Sequence, residues 1–167
     1  MSRHDPRIAA PAPHGNPGGA TVGDLHAMDG EAALAVMMLR DWFEDAEGPA
    51  RVGSVLTEAL GPAAGPAATE AWAGLMAGLR DHARRPVMRH ALACRCLGAD
   101  EAVVAQVLAL AGRGAREDAM LVLALLIPGD RLLLVLRDSE RAGQAVMRAA
   151  ARWRREMPPR ADPRRLH

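Results

Sequence analysis

The sequence predicts an all-α protein, a compact bundle of about six or seven helices behind a disordered N-terminal tail. Three observations carry that expectation. Half of the 167 residues are hydrophobic, and they are mostly Ala, Leu, Val and Met, with one Phe, three Trp and no Tyr. Such a composition forms helices well and strands poorly, because strands favour β-branched and aromatic side chains. Apolar residues recur at helical spacing in several separate windows, and Pro or Gly pairs punctuate those windows.

Residues 1–23 carry Pro6, Pro11, Pro13 and Pro17 among several glycines without apolar periodicity, which reads as a disordered tail. Residues 24–157 form the expected helical domain. Asp29 is a good N-cap for a first helix running to Glu47, with Leu34, Met38, Leu39, Trp42 and Phe43 facing the core. Gly48-Pro49 ends it. A second helix is expected over Pro49–Leu60, with Val52, Val55, Leu56 and Leu60 on one stripe. A third spans Pro66–Ala83 and presents Trp72, Leu75, Met76 and Leu79 on one side. Arg85-Pro86 breaks it, since a residue before proline avoids the α region.

Proline is favoured in a first helical turn, so a short fourth helix is expected from Pro86 through Cys94. Gly98 or Asp100 then caps a fifth helix with Val103, Val104, Val107 and Leu108 inward, stopped by Gly112 and Gly114. A sixth helix, Arg116–Ile127, is apolar around most of its circumference and is expected at the centre of the bundle. The last runs from Asp130 to Glu156 and grows rich in arginine, before a basic tail over 158–167.

The net charge is +1, which gives no general bias toward nucleic acid or acidic lipid. Every basic side chain apart from histidine is arginine, as a GC-rich coding bias would give. The longest apolar run, Ala119–Ile127, is far short of the roughly 20 residues a membrane-spanning helix needs. With no apolar signal segment in Met1–Ala20, a reducing cytoplasm is the expected setting. There, two cysteines point to ligands or redox groups sooner than to a structural disulfide.

The chemically suggestive residues are His82, His90, Cys94 and Cys96, which gather both cysteines and two of the six histidines into one short window. Histidine and cysteine are the preferred ligands of zinc, and structural zinc sites take four of them. In a helix His90 and Cys94 share a face, and Cys96 lies just beyond. His82 would stand ~12 Å from His90 along a continuous helix. A bend at Arg84-Arg85-Pro86 removes that obstacle. The residues therefore predict a metal site of His82, His90, Cys94 and Cys96, with zinc as the cofactor. The same two thiols, surrounded by Arg84, Arg85, Arg89 and Arg95, are equally suited to redox chemistry. Two half-buried cysteines acting as small hydrophobes are the plainer alternative.

His90-x3-Cys94-x-Cys96 is similar to the His-x3-Cys-x2-Cys core of zinc-binding anti-sigma factors, with one residue fewer between the cysteines. The longer string from Arg84-Arg85-Pro86 through Met88-Arg89-His90, Cys94, Cys96 and Leu97-Gly98-Ala99-Asp100-Glu101 resembles a group of small bacterial helical proteins of uncharacterised activity. The first resemblance implies a helical regulator with zinc; the second implies a family without an activity.

Other chemistry is weakly indicated. Glu101, Glu117 and Asp118 sit at helix starts, where a carboxylate interacts with the helix dipole. Ser54 and Ser139 lack a His and Asp pattern, and no glycine-rich segment carries a phosphate-loop lysine. Arg148, Arg152 and Arg155 fall on one face of the last helix, a solvated basic face or a nucleic-acid contact. The expectation is thus a non-enzymatic regulator or adaptor for a protein partner, with zinc. A thiol redox sensor on Cys94 and Cys96, or a nucleic-acid-associated regulator, stands beside it.

Overall fold

The computed structural model describes residues 17–156, and over that span the protein is a mostly helical bundle. Six helices follow in order: α1 Gly30–Trp42, α2 Gly48–Leu60, α3 Gly65–His82, α4 Ala99–Gly112, α5 Arg116–Leu123 and α6 Leu132–Glu156. Two short strands, β1 Thr21–Asp24 and β2 Cys96–Gly98, pair antiparallel beside the helices. Residues 1–16 of the expected tail, and the whole basic tail at 158–167, lie outside the described residues.

Helix α1 starts where its cap predicts: the Asp29 carboxylate accepts the Ala32 N–H at 2.8 Å. Proline at the first turn opens α2 and α3, where its missing N–H costs nothing. The core is built from the expected stripes. Leu34, Met38 and Leu39 of α1, Val52 and Leu56 of α2, and Trp72, Leu75, Met76 and Leu79 of α3 share one buried core. Helix α6 lies across them with Val135, Leu136, Ala142, Ala145, Val146 and Ala149 buried on one face.

The closest crossing is α4 against α6. A Cβ on Gly143 would collide with the Leu108 carbonyl oxygen and the Gly112 backbone, so the two helices meet backbone to backbone through paired glycines. Such approach lets Val104, Leu108 and Ala111 interlock with Val146 and Ala150, and dispersion between tightly packed atoms adds to the burial.

Four expectations need correction. The first helix ends at Trp42, not Glu47, because the Phe43 carbonyl is taken by Arg89 Nη2 at 2.6 Å and the chain turns. Residues 17–23, read as tail, form a 3-10 turn at Pro17–Gly19 and most of β1. The helix expected from Pro86 through Cys94 is absent: residues 83–95 are irregular, for a reason developed below. The mostly apolar sixth helix, expected at the centre of the bundle, is not central. It stops at Leu123, and Leu121 and Leu125 stand 70% and 65% exposed. Its following turn is caught by the chain after α3, where the Arg84 N–H donates to the Leu126 carbonyl at 2.8 Å.

Candidate functional site

The stretch from the last residue of α3 to the first of β2 holds His82, His90, Cys94 and Cys96, and it is held by charge. Arg40 of α1 and Glu101 of α4 are both fully buried. Arg40 Nε donates to Glu101 Oε1 at 2.7 Å, and Nη2 donates to Oε2 at 2.8 Å. This is the bidentate geometry that makes an arginine–carboxylate pair strong.

Each partner then reaches into the segment. Arg40 Nη1 donates to the Cys94 carbonyl at 2.5 Å and to the Ala91 carbonyl at 3.4 Å. Its Nη2 donates to the Cys96 carbonyl at 2.6 Å. Glu101 accepts from the His90 N–H at 2.9 Å and the Gly98 N–H at 2.8 Å. Neighbouring Asp100 accepts the Met88 N–H at 2.8 Å and both terminal nitrogens of Arg85, at 2.6 and 2.7 Å.

That network explains the missing helix. The N–H groups of Met88 and His90 go to carboxylates, and the carbonyls of Ala91, Cys94 and Cys96 go to a guanidinium. A helix would direct those groups to partners four residues away in the chain. Buried backbone groups must be satisfied, and here ionised partners outbid local ones. Burial pushes the Glu101 carboxyl up, but the hydrogen bonds from Arg40, Gly98 and His90 outweigh it and hold the group below the ordinary carboxylate range.

His90 is buried, with Nδ1 3.2 Å from Glu101 Oε2. An ionised carboxylate only accepts, so Nδ1 carries the proton. His82 is half-buried at the last position of α3. The helical face expected to align His90 with Cys94 does not exist, because neither residue is helical. Among the described residues no three His, Cys, Asp or Glu side chains gather into a group fit to hold a metal ion.

Cys94 and Cys96 are brought together. Both are half-buried free thiols, and the Cys96 N–H donates to Cys94 Sγ at 3.3 Å. The hydrogen bond from Cys96 to the Cys94 sulfur, and next the charge beside it, push the Cys96 thiol above its ordinary value; burial adds a little and a hydrogen bond with Thr21 of β1 opposes. Arg95, between them, is exposed and lies 3.4 Å from Asp24 of β1.

Models of known protein families, curated proteins and solved structures offer no match to this chain. The site therefore rests on its own geometry.

Sequence reasoning left two of its residues unrecognised. Arg40 was not singled out, and Glu101 was read as a helix-start carboxylate. A buried guanidinium inside the apolar stripe of α1 was the available signal, since Arg40 follows Leu39 and sits between Val36 and Phe43 at helical spacing. On the basic face of α6, Arg152 pairs with Glu156 at 2.8 Å, so part of its charge is neutralised; Arg154, off that face, pairs with Glu31 at 3.1 Å. Among the described residues no helix is long and apolar enough to cross a membrane.

Proposed function

We propose that this protein has no catalytic turnover of its own and works as a thiol sensor, with Cys94 and Cys96 as the reporting pair and a protein partner as the reader. The carrying observation is two free thiols one residue apart, with Cys94 Sγ accepting the Cys96 N–H, on a segment whose backbone is fixed by Arg40 and Glu101. The Cys96 thiol is held above its ordinary value and Cys94 Sγ accepts the Cys96 N–H, so this reading assigns the attack to Cys94.

A hydroperoxide is the oxidant class the pair suits. The Cys94 thiolate attacks one peroxide oxygen, the O–O bond breaks, and water or an alcohol leaves, giving a sulfenic acid. The Cys96 sulfur then attacks Cys94 Sγ, the S–O bond breaks, and water departs. In sum, two thiols and one hydroperoxide give one disulfide, one alcohol or water, and one further water. A disulfide across a single residue closes a small ring and is easily reduced, as a reversible signal requires.

Zinc on His82, His90, Cys94 and Cys96 is the second reading, favoured by the His90 Nδ1 contact with Glu101. Zinc-bound histidines commonly give their other ring N–H to a carboxylate.

Thiol titration and metal content on one purified sample separate the two. A sensor gives two titratable thiols, both lost to hydrogen peroxide and both recovered with dithiothreitol, without bound metal. About one zinc per chain with protected thiols supports the structural metal instead. Thiols that titrate freely but never pair leave a plain helical adaptor.

A further inference from the structure

We propose that the outer face of the hairpin formed by α5 and α6 binds a second copy of this chain, with the two hairpins packed about a two-fold axis that runs along their length.

The two helices of the hairpin run antiparallel. Helix α5 packs on α6, and Arg116 at its first position pairs with Glu140, about two turns into α6. The eight residues of α5 and the stretch Leu132–Glu140 each rise roughly 12 Å, so the start of α5 stands beside Glu140 and its end beside Leu132. On α5 the core takes Ala119 and Leu123, which turns Glu117 and Leu121 outward, and Leu125 lies exposed in the turn that follows. On α6 the core takes Val135, Leu136 and Ser139, which turns Leu133, Leu134, Arg137 and Arg141 outward.

The outer face is apolar toward the tip of the hairpin. Leu133 and Leu134 stand 63% and 55% exposed there, with Leu121 and Leu125 more exposed still. A protein that stays monomeric seldom leaves so many large side chains uncovered together. Away from the tip the face is charged, with opposite signs on the two helices. Helix α5 carries Glu117 and Asp118, both exposed and, among the described residues, without an ion-pair partner. Helix α6 carries Arg137, which is likewise exposed and unpaired among those residues. Arg141 comes next, with its nearest carboxylates only at 3.8 and 4.0 Å.

This arrangement of charge names the occupant. A two-fold axis along the hairpin sets each level of the face against the same level of its copy, but exchanges α5 with α6. Leucines then meet leucines at the tips. The acidic row of α5 meets the basic row of α6 in the copy, and the same pairing repeats on the other side of the axis. The face is thus complementary to itself in both apolar surface and charge.

Sedimentation equilibrium of the full chain tests this, with dithiothreitol present so that no cystine links two copies. The mass of two chains is expected at high micromolar concentration, falling toward that of one on dilution. Leu125→Asp with Leu133→Asp is expected to be monomeric under the same conditions, with unchanged helicity by circular dichroism. Arg137→Glu and Glu117→Arg are each expected to weaken association ~10-fold or more, and the two together in one chain to recover most of that loss. Monomers at every concentration overturn the proposal and leave the leucines to a different partner. Dimers that persist in the leucine variant place the contact on another face and overturn it. Charge reversals that have no effect, or that do not rescue one another, overturn the two-fold arrangement.

Discussion

Helix α4 is held at its two ends by opposite means. Its first turn carries Asp100 and Glu101, which fasten the segment 83–98 through ion pairs and backbone hydrogen bonds. Its second half packs Leu108, Ala111 and Gly112 onto Gly143 and Val146 of α6 through small and apolar groups. The apolar end tolerates imprecise polar chemistry but no added volume. The charged end tolerates the loss of neither Arg40 nor Glu101, because each removal strands a buried charge. That contrast teaches where function is placed: the reactive thiols ride on the end fixed by charge, where an irregular backbone is kept rigid without helix or sheet.

The largest expected effect breaks the charged end. Arg40→Met leaves Glu101 buried without its cation, and should cost about 3–5 kcal/mol, read as a fall in Tm by circular dichroism. The double variant Arg40→Met with Glu101→Gln should lose less than the sum of the singles, by about 0.5–3 kcal/mol, if the two act as one unit. Additive losses would mean that the pair is incidental.

The apolar end is next. Gly143→Ala forces a Cβ into the Leu108 carbonyl and the Gly112 backbone, and should cost about 1–3 kcal/mol in chemical denaturation. Unlike Arg40→Met, it should leave the protection of the His90 and Gly98 amides at neutral pH in place until global unfolding. Smaller again is Asp29→Ala, which removes the cap of α1 and should cost ~1 kcal/mol.

Acid gives the smallest change near neutrality and sharpens the comparison at low pH. Because the Glu101 carboxyl is held below its ordinary value, its contribution is complete above the unfolded carboxylate range and disappears as pH falls through the lower folded value. Between pH 7 and pH 5 the clamp should therefore be unaffected. Below that range the His90 and Gly98 amides should open before those of α4 and α6; simultaneous loss would show that the segment has no separate anchorage.

The helical part of the fold was legible because each stripe repeats within a dozen residues. Trp72, Leu75, Met76 and Leu79 announce α3, and Asp29 announces the start of α1. The irregular segment was illegible for the opposite reason. Its backbone partners, Arg40 and Glu101, stand 61 residues apart, and neither differs locally from an ordinary helix residue. Proline at position 86 invites a helix start, yet tertiary capture of the Met88 and His90 N–H groups overrides it. The dithiol was legible as a pair of residues. The strand that pairs beside Cys96 was not, because β1 lies in a stretch whose Pro and Gly content reads as tail. The apolar run 119–127 misled in the same way, since periodicity reports a buried face but not whether a neighbour exists to cover every side.

The most direct test of the charge clamp is amide exchange at His90 and Gly98 in the wild-type protein and in Glu101→Gln, with a metal chelator present throughout. A clamp built from Arg40 and Glu101 predicts strong protection of both amides in the wild type despite the chelator, and its loss in Glu101→Gln while α3 and α6 stay protected. Amides that are open in the chelated wild type and close only when zinc is added would contradict it.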